Sequence, residues 1–291
     1  MPMRQVKNHG KSIRMRLLNM SQQTGVPYNT VVLRYLHERL LYRLSRSALK
    51  PHFILKGSSL LYATQGVLSR PTKDVDFLGY HINRTPEHIR AAFSDILSIE
   101  CTGDAVRFDT SSLDVSEITA NKEYRGAHVR VDAHLDTMVV PVEMDIGFGD
   151  VITPHACELD YPLALHDLPP VRVLSYSLET VVAEKFESMF ALDAINSRMK
   201  DFYDVYSLLL SGKLNEQTLA DAIKCTFANR KTVIRPSAAL LSPEFCAEQN
   251  RQLQWKNFLR KIGDHNTLEF ETVCNHICRI LLPLLPRNNV F

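Results

Sequence analysis

Phe53-Ile54-Leu55-Lys56-Gly57-Ser58-Ser59-Leu60-Leu61-Tyr62-Ala63 reads as a short apolar strand, a tight small-residue turn and the opening of a helix. Asp74-Val75-Asp76 follows. Side chains alternate along a strand, so Asp74 and Asp76 project from one face while Val75 points into the core. Met144-Asp145-Ile146 repeats the apolar-acid-apolar pattern and is expected on a neighbouring strand. Three such carboxylates are a donor set for Mg²⁺, and a pair of these ions clamps the attacking and leaving oxygens of a displacement at phosphorus. Backbone N–H groups at the Gly57-Ser58 helix start, with the Ser58 hydroxyl, suit a triphosphate. Each piece alone is common: acids alternate on solvated strands, and Gly-Ser is a turn. Their order over expected strands is far more specific and points to a catalytic site.

The remaining composition sets bounds. With 45% hydrophobic and 23% charged residues in 291, a packed core is expected. No apolar run reaches the roughly 20 residues that a membrane span needs, and the basic N-terminus lacks the apolar segment of a secretory signal. Cysteines 101, 157, 225, 246, 274 and 278 have no disulfide-scaffold rhythm, so reduced thiols and a cytoplasmic protein are expected. Cys274 and Cys278 lie in an apolar periodic run with no second ligand pair, which favours buried helix cysteines over zinc.

The net charge of +2 conceals an asymmetry. Residues 1–50 hold ten Lys/Arg against the single acid Glu38, residues 101–200 hold eight against seventeen acids, and residues 222–291 hold ten against five. An acidic centre suits metal-binding carboxylates, and basic ends suit a phosphate backbone. Between Thr30 and Ser47 a helix is expected, with Leu33, Leu36, Leu40 and Leu44 on one stripe and Arg39, Arg43 and Arg46 on another. Because acids are almost missing from this segment, the arginine stripe is expected to contact nucleic acid; an ordinary solvated face is the alternative. Arg230, Lys231, Arg235, Arg251 and Lys256 form a second basic segment.

Residues 86–98 read as a helix, and 128–136 and 138–148 as antiparallel strands. Asp132, His134 and Asp136 are expected on a polar sheet face, with a place bordering the metal site as the alternative. A Pro-rich link with Pro154, Pro162, Pro169 and Pro170 leads to helices near 177–192, 198–211, 215–228, 244–262 and 267–282. Lys185 lies in a largely apolar helix, where its ammonium needs a phosphate, a carboxylate or water. Asp201 borders the apolar stripe of its helix and is expected to reach a site. Asp204, nearly opposite, is expected to pair with Lys200.

These residues resemble the AbiEii/AbiGii toxin family of nucleotidyltransferases, which includes the MenT toxins, and more broadly the DNA polymerase β-like nucleotidyltransferase fold. The resemblance covers most of the chain. It rests on Leu55-Lys56-Gly57-Ser58 with Arg70-Pro71-Thr72-Lys73-Asp74-Val75-Asp76-Phe77, on Asp145-Ile146-Gly147-Phe148, and on Arg198, Lys200, Asp201 and Asp204. A Lys-x-x-Ala-x-x-x-Arg element keeps Lys185 but has Ser188 and Leu192 in place of Ala and Arg. The resemblance implies an α+β fold: a mixed-sheet core with N-terminal helices over residues 1–175, and a helical domain over 176–291. It implies a Mg²⁺-dependent toxin of a toxin–antitoxin or abortive-infection system that transfers a nucleotide from a nucleoside triphosphate to RNA, with the tRNA acceptor end the first expectation. Asp74, Asp76 and Asp145 are the implied metal ligands. Lys56, Gly57, Ser58 and Arg198 are the implied phosphate contacts, Lys185 the cation for the triphosphate, and Asp201 its partner or the group that activates the acceptor. A cognate antitoxin is the implied protein partner. Transfer to a protein hydroxyl, and a non-catalytic nucleotide- or antitoxin-binding module, stay open as alternatives.

Overall fold

The computed structural model describes residues 8–66, 72–121, 124–235, 238–264 and 267–285. Arg70 and Pro71 of the first motif lie outside them. The chain divides into two compact units: residues 1–149 with 157–175, and residues 150–156 with 176–291.

The first unit is built on one mixed sheet. Its elements are α1 (His9–Thr24), α2 (Tyr28–Arg46), β1 (Phe53–Lys56), α3 (Gly57–Gln65), β2 (Asp74–Gly79), α4 (Pro86–Leu97), β3 (Val106–Asn121), β4 (Tyr124–Leu135), β5 (Met138–Phe148), β6 (Cys157–Tyr161) and β7 (Val171–Ser175). The strand order is β3-β4-β5-β2-β1-β7-β6. The two acid-bearing strands, β2 and β5, are central parallel neighbours. Val75, Phe77, Met144 and Ile146 are buried between the acids, which is the alternation that the sequence pattern demands. Phe53, Phe77 and Phe93 stack edge-on beneath β1, β2 and α4. The strands β6 and β7 lie in what reads as a Pro-rich link; Pro162 follows β6, and Pro169 and Pro170 precede β7, so the prolines bound strands instead of replacing them.

The helix α2 overturns the arginine stripe. Every residue from His37 to Leu41 is buried, because α2 packs against α1, α4, β5 and β7 and has little solvent face. Arg39 is 0% exposed and pairs with Glu38 at 2.5 Å, with its guanidinium over the Tyr42 ring. Arg43 is 3% exposed and donates to Asp104 Oδ2 at 2.8 Å and to the carbonyls of Val106 and Arg39. Only Arg46 of the three is exposed. Arg39 and Arg43 are therefore structural cations of the core and not a nucleic-acid surface. The acid that balances Arg43, Asp104, lies about sixty residues away in sequence and so escapes any count of local charge.

The second unit contains α5 (Leu178–Leu192), α6 (Met199–Leu210), α7 (Glu216–Asn229), α8 (Pro243–Ala247), α9 (Gln249–Ile262) and α10 (Phe270–Leu281). Ser177 caps α5 by accepting from the Thr180 N–H, and Asn215 caps α7 by accepting from the Thr218 N–H. Phe186, Phe190 and Phe227 form one aromatic cluster, and Phe202, Trp255 and Phe270 another. Arg230, in the second basic segment, is held by Glu187 at 2.7 Å and Asp150 at 2.9 Å, and Arg251 is buried too. That segment therefore offers fewer free cations than its sequence promises.

Candidate active site

The site is a row across the sheet. In the first unit's register Lys56 faces Asp76, Asp76 faces Asp145, Asp145 faces His128, and His128 faces Ser116. Residues opposite one another on neighbouring strands share a face, and Asp74, two residues before Asp76, shares it as well. Oxygens of Asp74, Asp76 and Asp145 lie within 4.8 Å of one another, and all three residues are half-buried. An all-carboxylate set at that spacing fits a hard divalent cation. Among the described residues no other cluster of acids, histidines or cysteines has that spacing.

Neighbouring groups fix the acids. Thr72 donates its hydroxyl to Asp74 Oδ1 at 2.8 Å, and Ser59 Oγ approaches the Asp74 carbonyl at 3.4 Å. His128 Nδ1 lies 2.7 Å from Asp145 Oδ1. Asp76 packs on the turn at Gly57: a Cβ built at Gly57 would stand 1.9 Å from Asp76 Oδ2, and Gly57 has φ of 64°. Both the positive φ and the space thus require glycine. The helix α3 starts at Gly57 with no side-chain cap, and Ser58 is buried in its first turn. Its N-terminal amides open at the corner occupied by Asp76, a ready-made anion site. Lys56 ends β1 immediately before that turn. His37 is buried beside this corner, bonded to the Lys73 backbone, and burial pulls its pKa down to about 4.

The second unit gathers its own predicted residues. Lys185 on α5 reaches Asp201 Oδ1 at 2.5 Å and Asp204 Oδ2 at 3.0 Å, and Arg198 Nε reaches Asp201 Oδ2 at 2.7 Å. Burial lowers the Lys185 pKa, but attraction from Asp204 and Asp201 outweighs it, and the net shift is upward. Burial likewise raises Asp201, whereas Lys185 and Arg198 pull it down further, and its net shift is downward. Asp204 does not stand on a solvent face beside Lys200. It is 3% exposed, because α6 packs against α5 and also against α9 and α10, so both sides of the helix are interior.

His128 belongs to none of the sequence motifs, and Thr72, part of the first, carries no assigned role there. His128 opens the alternation His128, Arg130, Asp132, His134 along β4, whose polar members share one face, and that alternation was the available signal. Asp136 instead sits at the β4–β5 turn with φ of 54° and pairs with Arg14.

The sequence matches the family described as Nucleotidyl transferase AbiEii toxin, Type IV TA system, over residues 39–276. A comparison with curated proteins returns no match. Two solved structures from Helicobacter pylori are similar. The protein JHP933 is 11% identical, with a TM-score of 0.47 over 88% of this chain and 91% of its own. A candidate nucleotidyltransferase is 12% identical, with a TM-score of 0.49 over 89% of this chain and 96% of its own. The family match spans well over half of the 291 residues, and the chain belongs to the AbiEii nucleotidyl transferase toxin family.

Proposed function

We propose that this AbiEii-family chain uses Mg²⁺ to transfer a nucleotidyl group from a nucleoside triphosphate to an RNA hydroxyl, with the 3′ end of tRNA as the acceptor. The observation that carries the reading is the row of Asp74, Asp76 and Asp145, with Asp76 pressed against the Gly57 turn. A divalent cation held by these carboxylates would neutralise charge at the reacting phosphorus. The chain's own contribution is positional. Gly57 and Ser58 present backbone amides and a hydroxyl to the phosphates, Lys56 adds positive charge at the same turn, and Thr72 fixes the Asp74 carboxylate. In the reaction the acceptor oxygen forms a bond to the α-phosphorus, the α–β bridge breaks, pyrophosphate leaves, and the acceptor proton passes to solvent.

We also propose that Lys185, Asp201 and Arg198 of the second unit are required for transfer, as a charged group held together in advance. RNA as acceptor and a cognate antitoxin as partner are proposed from the family's character as a toxin of type IV toxin–antitoxin systems. Arg39 and Arg43 have no part in RNA binding on this reading. Incubating the protein with Mg²⁺, each α-labelled triphosphate, total RNA and a protein lysate tests the proposal. Label in RNA of tRNA size is expected. Label in protein would move the acceptor to a side-chain hydroxyl, and no label with any triphosphate would overturn the reading.

A further inference from the structure

We propose that His128 is a positioning residue for Asp145: its ring holds one oxygen of that carboxylate and thereby sets the orientation in which Asp145 meets a divalent cation alongside Asp74 and Asp76. This rests on reading the three aspartates as the metal site.

Asp145 is half-exposed on β5. A carboxylate turns broadly about its last side-chain bond unless something holds it. His128 Nδ1 stands 2.7 Å from Oδ1, across the β4–β5 register. A carboxylate oxygen accepts, so the ring nitrogen donates, and the contact has the length of a charge-assisted bond. With Oδ1 held, the carboxylate plane is fixed while an oxygen of Asp145 remains within 4.8 Å of oxygens of both other aspartates. Thr72 treats Asp74 in the same way, by donating to Oδ1 at 2.8 Å. Two of the three acids are thus held by a hydroxyl or imidazole donor, and among the described residues neither has a lysine or arginine as the partner at that oxygen. A lysine or arginine there would compete with a cation for the carboxylate, whereas a ring N–H orients it. Partners of this kind, one step out from a metal, typically change affinity by about 10- to 100-fold when removed.

The test is Mn²⁺ binding by the full chain without nucleotide, read by electron paramagnetic resonance of free Mn²⁺, for wild type, His128→Leu, His128→Asn and Asp145→Asn. His128→Leu removes the donor at similar size. His128→Asn keeps a nitrogen on Cγ, where Nδ1 stood. The expected result is a loss of about 10- to 100-fold for Leu, most of the affinity retained by Asn, and unchanged thermal unfolding in both. Equal affinity in wild type and the Leu variant overturns the proposal, as does an Asn variant no better than Leu. A nitrogen coupling on bound Mn²⁺ would make the ring a ligand and overturn the positioning role. If wild type binds no Mn²⁺, or Asp145→Asn binds like wild type, it is the reading of the aspartates as a metal site that fails. Loss in Asp145→Asn with no loss in His128→Leu fails the His128 proposal alone.

Discussion

Asp74, Asp76 and Asp145 in the first unit are half-buried and crowded together, whereas Asp201 and Asp204 in the second are buried and closed around an ammonium, with a guanidinium on Asp201. In the second arrangement each buried charge is matched at ion-pair distance, so removing one partner leaves another uncompensated. Stability does not explain the first. Carboxylates within 4.8 Å of one another repel, and the fold holds them there with a strand register, a glycine turn, a threonine and a histidine. The difference separates acids whose charge is already matched inside the protein from acids crowded with their own kind, and it predicts opposite effects on stability for substitutions at the two places.

Lys185→Ala is expected to have the largest effect on the fold. It leaves Asp201 and Asp204 buried without their shared cation, which should cost about 3–5 kcal/mol in urea unfolding. Transfer should fall by about 10²-fold or more, as for a lost electrostatic donor. An unchanged urea midpoint would break the contrast between the two regions. Arg43→Gln should destabilise the first unit by a similar mechanism, because Asp104 loses its buried partner. RNA affinity and its salt dependence, measured on the folded fraction, should not move.

The pH dependence of stability sharpens the comparison. The His37 pKa falls from 6.5 unfolded to about 4 folded. Its contribution is therefore complete above pH 6.5 and is lost as pH falls toward 4, on the order of 3 kcal/mol in all. His37→Gln should abolish that loss, and urea midpoints at pH 7 and pH 4.5 measure it. In the second unit Asp201 is lowered from 3.8 and Lys185 raised from 10.5. The Asp201 contribution is lost only as pH falls through its lowered value, and that of Lys185 only as pH rises through its raised value. The pair is flat between them, so a break in the activity profile near neutrality does not come from Lys185.

Gly57→Ala is expected to cost about 1–2 kcal/mol in stability for the left-handed backbone. The new Cβ would displace the Asp76 carboxylate, so transfer should fall by more than the folded fraction does. A parallel loss of the two would mean that the turn serves the fold only.

Much of the first unit was legible because period-two alternation on β2, β4 and β5 survives in plain sequence, and a glycine before a helix marks its own turn. What stayed hidden depended on partners far away in the chain. Arg39 and Arg43 look like a solvent stripe until α1, α4 and the sheet close over them, and the acid that answers Arg43 is Asp104. Asp204 lies opposite an apolar stripe, which marks solvent on a helix buried on one side but not on α6, which is covered on two. The strands β6 and β7 are too short and too closely flanked by proline to announce themselves. His128 carries no motif; its meaning comes from the register that sets it opposite Asp145.

The central claim is that the aspartate row performs the transfer while the fold does not depend on it. The double variant Asp74→Asn/Asp76→Asn, incubated with Mg²⁺, labelled triphosphate and RNA, tests this most directly when its thermal unfolding is measured in the same preparation. The account predicts no label in RNA and an unfolding midpoint equal to or above that of wild type, since mutual repulsion is relieved. Labelling at the wild-type rate by this folded variant would contradict it.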